Sequence, residues 1–370
     1  MPIIGIETLV YCVDDVEICE RYFDDFGLPL EQSSGNESLF VLPDNSNVIL
    51  RSLEHAPVPG SKIIGKGVHE VIWGVDSQAS LEKFVQKLGV DREVRRDLDG
   101  TVHFVCDDGI AMGLRVWKDR REIKTSVDPI NSPGNINRLN VHRKWIARAR
   151  PKYIQHVVFM SKNVEASFAF IRDRLDFRMS DHQRALGIFA RADGTNDHHN
   201  IYFLNASAPL PGADGNVRFH HVNYGVTDLD EIMVGKNYME RRGWDHSHWG
   251  IGRHRIASSL FLYLPAPTGG EAEYGADSDA LDDNWIPRSW DPLFGFAHWM
   301  HEMPEFWSQG SDWDVKFVEF LAPKRGSVAP HETTVAEQQT PVAEGAHPDP
   351  TKMLADSTLP REFRSHQDVV

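Results

Sequence analysis

A chain of 370 residues with 41% hydrophobic content is long enough to bury two sizeable cores. Its formal net charge of −15 disfavours nucleic acid or an anionic membrane as main partner, because either would be repelled, and favours a small neutral or weakly acidic ligand. The opening MPIIGIETLVYCVDD has no basic region ahead of a long apolar run, no stretch approaches the roughly 20 apolar residues that cross a bilayer, and Cys12, Cys19 and Cys106 follow no metal or disulfide spacing. A cytosolic protein with reduced, structural thiols is expected.

In chain order, one plan recurs four times. TLVYCVDDVEICERYFDDFGL from Thr8 reads as an apolar strand, a polar turn and an amphipathic helix. The plan returns in HEVIWGVDSQASLEKFVQKLGV from His69, in HVVFMSKNVEASFAFIRDRLDF from His156 and in HHVNYGVTDLDEIMVGKNYMERRGW from His220. In the third copy Val164, Phe168, Ile171 and Leu175 recur at helical spacing, so one helix face packs on a sheet. Short strand-like runs follow each helix, such as SLFVLPD and NVILRSL after the first and SLFLYLP and GEAEYG after the fourth.

The pattern predicts an α+β fold of four βαβββ modules paired into two domains, each a curved mixed sheet. Residues 1–120 form the N-terminal pair, 121–150 a connection around DPINSPGN, and 151–280 the C-terminal pair. Residues 281–322, with Trp285, Trp290, Phe294 and Trp299, form an aromatic-rich arm. Residues 323–370, rich in Pro, Ala, Thr and Glu, form a low-complexity tail that cannot order itself as a globule.

Two histidines stand at the same point of the third and fourth copies, His156 and His221, and Glu273 follows in GGEAEYG. Two imidazoles and one carboxylate hold a metal on one face and leave the opposite positions open, which suits a non-heme Fe(II) site that takes both a substrate and oxygen. Mn(II) accepts the same ligands. Superposing the modules sets Thr8 opposite His156, Glu70 opposite His221 and Met112 opposite Glu273, so the N-terminal pair should bind no metal. Strand alternation turns His220 away from the site into a packing role, and Glu271 is expected on the solvent side. His69 is expected to be structural.

Paired βαβββ modules with ligands on their first and last strands resemble the vicinal oxygen chelate superfamily. In detail residues 4–277 are similar to its type I extradiol ring-cleaving dioxygenases. The resemblance implies iron held by His156, His221 and Glu273, and cleavage of a catechol-type diol beside its hydroxyls with both atoms of O2 incorporated. It also implies a homo-oligomer. GRHRIASSLFLYLPAPTGGEAEYG sets His254 and Tyr263 at the spacing of the family's substrate-contacting histidine and tyrosine, and His199 in DHHNIYF at its acid–base histidine, with His198 as the other choice of register. Ile256 departs from the asparagine of some dihydroxybiphenyl enzymes, which bears on the substrate more than on the reaction. Two further readings stand beside this one. An isomerase or lyase of the same superfamily typically needs more carboxylate ligands and no histidine like His199, and a non-catalytic small-molecule binding protein needs neither the trio nor Tyr263 and His254.

Overall fold

A computed structural model describes residues 2–55, 59–210, 212–302 and 315–317. The predicted tail, and the arm beyond residue 302 except for one short strand, lie outside the described residues. Four βαβββ modules follow one another. The first runs β1 (Ile3–Val13), α1 (Val16–Phe26), β2 (Leu30–Ser33), β3 (Glu37–Val41) and β4 (Asn47–Ser52). The second is β5 (Gly67–Val75), α2 (Gln78–Leu88), β6 (Arg95–Arg96), β7 (Val102–Val105) and β8 (Ala111–Val116). The third is β9 (Tyr153–Ser161), α3 (Val164–Leu175), β10 (Arg178–Gln183), β11 (Gly187–Arg191) and β12 (Ile201–Asn205). The fourth is β13 (Arg218–Gly225), α4 (Leu229–Arg241), β14 (Ile251–Arg253), β15 (Leu260–Pro265) and β16 (Glu271–Ala276).

Each helix starts for the same local reason. Asp15, Ser77, Asn163 and Asp228 stand in extended backbone just before the first turn, and their side chains accept a backbone N–H from the residue three places on. In α3 the spaced residues Val164, Phe168, Ile171 and Leu175 are all buried. Helix α1 ends at Gly27, whose φ of 106° lies in the left-handed region and whose Cβ would meet the Ala149 carbonyl oxygen at 2.2 Å, so both conformation and space require glycine.

The modules build two mixed sheets with the same centre. In the eight-stranded sheet the order β4-β1-β5-β8 is parallel, antiparallel, parallel, and in the eleven-stranded sheet β12-β9-β13-β16 repeats it. Residues after the fourth module extend the second sheet at both edges. β17 (Arg288–Trp290) pairs with β10, and after α5 (Pro292–Phe296) β18 (Trp299–Met300) pairs with β14; β19 (Val315–Phe317) lies outside β17. The sheets meet through aromatic contacts. Phe26 stacks on Tyr274 with centroids 4.0 Å apart, and Tyr274 donates its hydroxyl to the Phe26 carbonyl.

Alternation along β9 divides two environments. Val157 and Phe159 join the main core with Ile171 and Leu175 of α3, whereas Val158 and Met160 belong to a separate apolar cluster that lines a cavity together with His156.

The internal register corrects one sequence expectation. His156 faces Asn223 across the sheet, and Asn223 pairs with Glu273; in the first sheet Thr8 faces Ile72, and Ile72 pairs with Gly113. Glu70 opposite Val10 matches His221 opposite Val158. The counterpart of Glu273 is therefore Gly113, not Met112, which is fully buried in the core. A slip of one residue turns a side chain to the other face of the sheet, and superposed sequences do not detect it. At this first-sheet position Glu70 Oε1 lies 2.6 Å from His103 Nδ1, so the only carboxylate of the three counterparts already has a partner.

Candidate metal centre

The central ladder brings His156 from β9, His221 from β13 and Glu273 from β16 together on neighbouring strands. Their ligand atoms form a nearly equilateral triangle. The two Nε2 atoms are 3.3 Å apart, and each lies 3.4 Å from Glu273 Oε2. Ligand bonds of about 2.1 Å at right angles set neighbouring donor atoms about 3 Å apart, so the triangle matches one face of a six-coordinate cation. All three side chains are buried. Glu273 Oε2 has no hydrogen-bond partner, and an unneutralised buried carboxylate is costly unless a cation joins it. Burial holds His221 neutral, with a pKa well below the ordinary imidazole value, and keeps its lone pair free for a metal. The donor set therefore fits a divalent ion of the Fe(II) and Mn(II) kind.

One imidazole missed as a site residue stands behind this arrangement. His220 Nδ1 lies 2.6 Å from His221 Nδ1. A hydrogen bond between these nitrogens sets the tautomer that leaves His221 Nε2 unprotonated toward the triangle. His220 was expected to face away, but a bulge between Phe219 and His221 interrupts the alternation and turns it to the cavity wall. Burial pushes its pKa down to about 4, against the pull of Glu273. Glu271 is a second correction. It lines the cavity on the same face as Glu273, two residues away, and burial followed by repulsion from Glu273 pushes its carboxyl up to about 7.

His199 packs against His156 with centroids 4.0 Å apart and the rings tilted by 30°, and it also lines the cavity. Burial, then the neighbouring His156, holds its pKa well below the usual range. His198 is not on its own strand face, because residues 198–200 run outside the strands. It bridges instead: its Nδ1 lies 3.1 Å from His199 Nδ1 and its Nε2 lies 3.2 Å from Asp181 Oδ2.

On the other side of the triangle Tyr263 sits directly opposite Glu273 in the β15–β16 ladder. Its hydroxyl is 3.1 Å from His254 Nε2, and His254 Nδ1 donates to the Phe296 carbonyl. That carbonyl fixes which His254 nitrogen carries the proton, so Nε2 accepts from Tyr263. Burial lowers the His254 pKa and raises that of Tyr263 well above 10, so both are neutral. Ile256 and Phe296 complete this wall.

The cavity that holds these groups has a volume of about 1030 Å³. Beyond His156 it is walled by Val158, Met160, Leu186, Phe189 and Leu204, with Phe189 stacked on Tyr202 at 4.0 Å. Met160 lies four residues along β9 from His156, which at about 3.3 Å per residue makes an apolar arm of about 13 Å.

The four-module architecture, with the three donor residues on the first and last strands of the C-terminal pair, is a fold shared with solved dioxygenase and glyoxalase structures. The relatives found by sequence carry dioxygenase names. Metapyrocatechase 2 of Cupriavidus necator is 30% identical over 220 residues, covering 57% of this chain and 64% of that one. An iron-dependent extradiol dioxygenase of Rhodococcus jostii is 28% identical over 166 residues, covering 40% and 53%. The chain thus spans less than two thirds of the length of these relatives. Among solved structures, a Mn(II)-bound glyoxalase from Novosphingobium aromaticivorans matches with a TM-score of 0.63 at 20% identity over 81% of this chain and 91% of that one. Homoprotocatechuate 2,3-dioxygenase from Arthrobacter globiformis matches with a TM-score of 0.61 at 17% identity over 84% and 91%. No protein-family model matches the chain. Among the described residues, no helix is long and apolar enough to cross a membrane.

Proposed function

We propose that this protein is an extradiol dioxygenase, which opens a catechol-type ring beside its two hydroxyls and incorporates both atoms of O2. The observation that carries the reading is the donor triangle of His156, His221 and Glu273, flanked in one cavity by His199 on one side and the His254–Tyr263 pair on the other. His156, His221 and Glu273 would hold Fe(II), or Mn(II), and the ion supplies a Lewis acid that lowers phenolic pKa values together with the redox chemistry that O2 needs. The catalytic domain is the C-terminal pair of modules. The N-terminal pair, with Thr8, Glu70 and Gly113 at the corresponding positions, is scaffold.

The remaining steps belong to the side chains. His199, neutral through burial, takes a proton from a catechol hydroxyl at the nitrogen not engaged by His198. Asp181 accepts from His198 Nε2, which leaves His198 Nδ1 to accept from His199 Nδ1 and fixes the free nitrogen of His199 as the acceptor. Tyr263, whose proton goes to His254 Nε2, accepts a hydrogen bond from the substrate at its phenolic oxygen and orients the ring, His254 holds Tyr263 in place, and the buried walls exclude water. The apolar arm suits a ring with an alkyl or aryl substituent better than bare catechol.

Oxygen uptake by iron-loaded protein tests the reading, with catechol, an alkylcatechol and dihydroxybiphenyl as substrates. A yellow semialdehyde should form in air and not under nitrogen, fastest with the substituted rings. Isomerisation of a substrate without oxygen uptake would instead support the lyase or isomerase reading.

A further inference from the structure

The ladder that carries the three donors holds one more polar side chain on the same face, Asn223. His156 on β9 faces Asn223 on β13, Asn223 pairs with Glu273 on β16, and Glu273 pairs with Tyr263 on β15, so four side chains form one row across four strands. His221 stands two residues before Asn223 on the same strand. The asparagine therefore has a donor residue on each flanking strand and the third on its own, and it is fully buried.

Its amide has no partner. Among the described residues ten buried side-chain polar atoms lack a hydrogen bond, and four of them fall on three neighbours in this row: Nδ1 of His156, Oδ1 and Nδ2 of Asn223, and Oε2 of Glu273. A buried amide that makes no hydrogen bond is destabilising, and an apolar side chain of similar size would avoid the penalty. Space has nonetheless been kept for it. A Cβ on Gly275 would meet Asn223 Nδ2 at 2.1 Å and Oδ1 at 2.5 Å.

The two imidazoles of the triangle are unequally supported. His221 Nδ1 has His220 at 2.6 Å, whereas His156 Nδ1 has no partner. An imidazole that gives Nε2 to a cation carries its proton on Nδ1, and that N–H is normally held by an acceptor. With centroids 4.0 Å apart and a tilt of 30°, His199 covers a face of the His156 ring and leaves its edge free. The acceptor that His156 lacks and the donor that Asn223 Oδ1 lacks belong to directly paired residues, whose Cβ atoms in such a ladder are about 4.5–5.5 Å apart. We propose that Asn223 is a positioning residue of the metal centre: with a divalent cation on the triangle, a turn of its side chain brings Oδ1 to the Nδ1–H of His156 and fixes the tautomer and tilt of that ring. The cation takes up Glu273 Oε2, so one ion and one hydrogen bond satisfy three of the four orphaned atoms. This role rests on the metal site of the proposed function and not on the reaction carried out there.

Mn(II) affinity, read by competition with a chelator of known affinity, tests it. Asn223→Leu keeps the bulk and removes the acceptor, so binding should weaken about 10- to 100-fold. Thermal melts of the metal-free protein should find the same variant no less stable than wild type, because it loses only an amide without a partner. Asn223→Ala removes the acceptor without adding shape and should weaken binding to a similar degree, which covers a Leu variant that fails to fold. Asn223→Asp keeps an acceptor facing His156 and should bind Mn(II) at least as tightly as wild type. A folded Leu or Ala variant with wild-type affinity would overturn the proposal, and so would an Asp variant as weak as the Leu one. Wild type that binds no Mn(II) or Fe(II) would overturn the metal centre itself and this role with it, a result distinct from a wild type that binds and an indifferent Asn223→Leu.

Discussion

His198 Nε2 lies 3.2 Å from Asp181 Oδ2, and both side chains are shut off from solvent. The contact ties a carboxyl group on β10 to the imidazole that holds His199. Asp181→Asn offers an amide N–H where His198 now donates, so the two rings lose their fixed tautomers. On the proposed reading kcat should fall on the order of 10²-fold, with KM and iron content little changed; losing an acid–base group outright costs roughly 10²–10⁴-fold. Combined with His199→Gln, the Asp181 change should add nothing, because both act through one ring. Additive losses in kcat/KM would detach Asp181 from His199.

The ligand triangle predicts one metal ion per chain. His156→Ala, His221→Ala and Glu273→Ala should each abolish binding, read by metal analysis, while the first sheet stays folded. Metal at 100 times its dissociation constant should stabilise wild type by about 2.7 kcal/mol and leave the three variants unmoved in thermal melts. Two ions per chain would contradict a first sheet that carries Gly113 at the carboxylate position.

His220→Leu removes the nitrogen 2.6 Å from His221 Nδ1 and keeps an apolar side chain of similar bulk. Metal affinity should fall about 10- to 100-fold, the usual scale for the partner behind a ligating imidazole. Competition with a chelator of known affinity reads this directly. Equal affinity would leave His220 as wall only.

Tyr263→Phe deletes one hydroxyl and leaves His254 Nε2 without the partner it has at 3.1 Å. The expected loss is about 1–3 kcal/mol in kcat/KM, roughly 5- to 150-fold, at unchanged iron loading. Near-wild-type kinetics would reduce Tyr263 to packing.

The fold was largely legible because it is a repeat. Four copies of strand, turn and capped helix appear as apolar periodicity with Asp15, Ser77, Asn163 and Asp228 at equivalent points, and the same periodicity led to His156, His221 and Glu273. What stayed hidden depends on departures from regular strands. His220 comes inward at a bulge and His198 lies in irregular backbone, so alternation could not orient either. Glu271 is different, since alternation itself puts it on the face of Glu273; the expectation of a solvent-side position missed that this face lines the cavity. Asp181 approaches from β10, seventeen residues before His198, and nothing in local spacing links the two. The exposed segment between the two pairs of modules was legible only as a connection, because its apolar residues show no periodicity.

The first sheet repeats the ladder of the second with Thr8, Glu70 and Gly113 in place of the three donors. The shape of the reactive face is thus cast by main-chain pairing alone, and one mould has yielded an armed copy and a blank within a single chain. Rearming the blank would not be a matter of three letters. A Cβ at Gly113 would stand 3.0 Å from the Val102 carbonyl oxygen and 3.1 Å from Ile72, and Glu70 is already engaged by His103. The blank has filled in around its missing ligands, so silence there is built into the packing as well as the side chains.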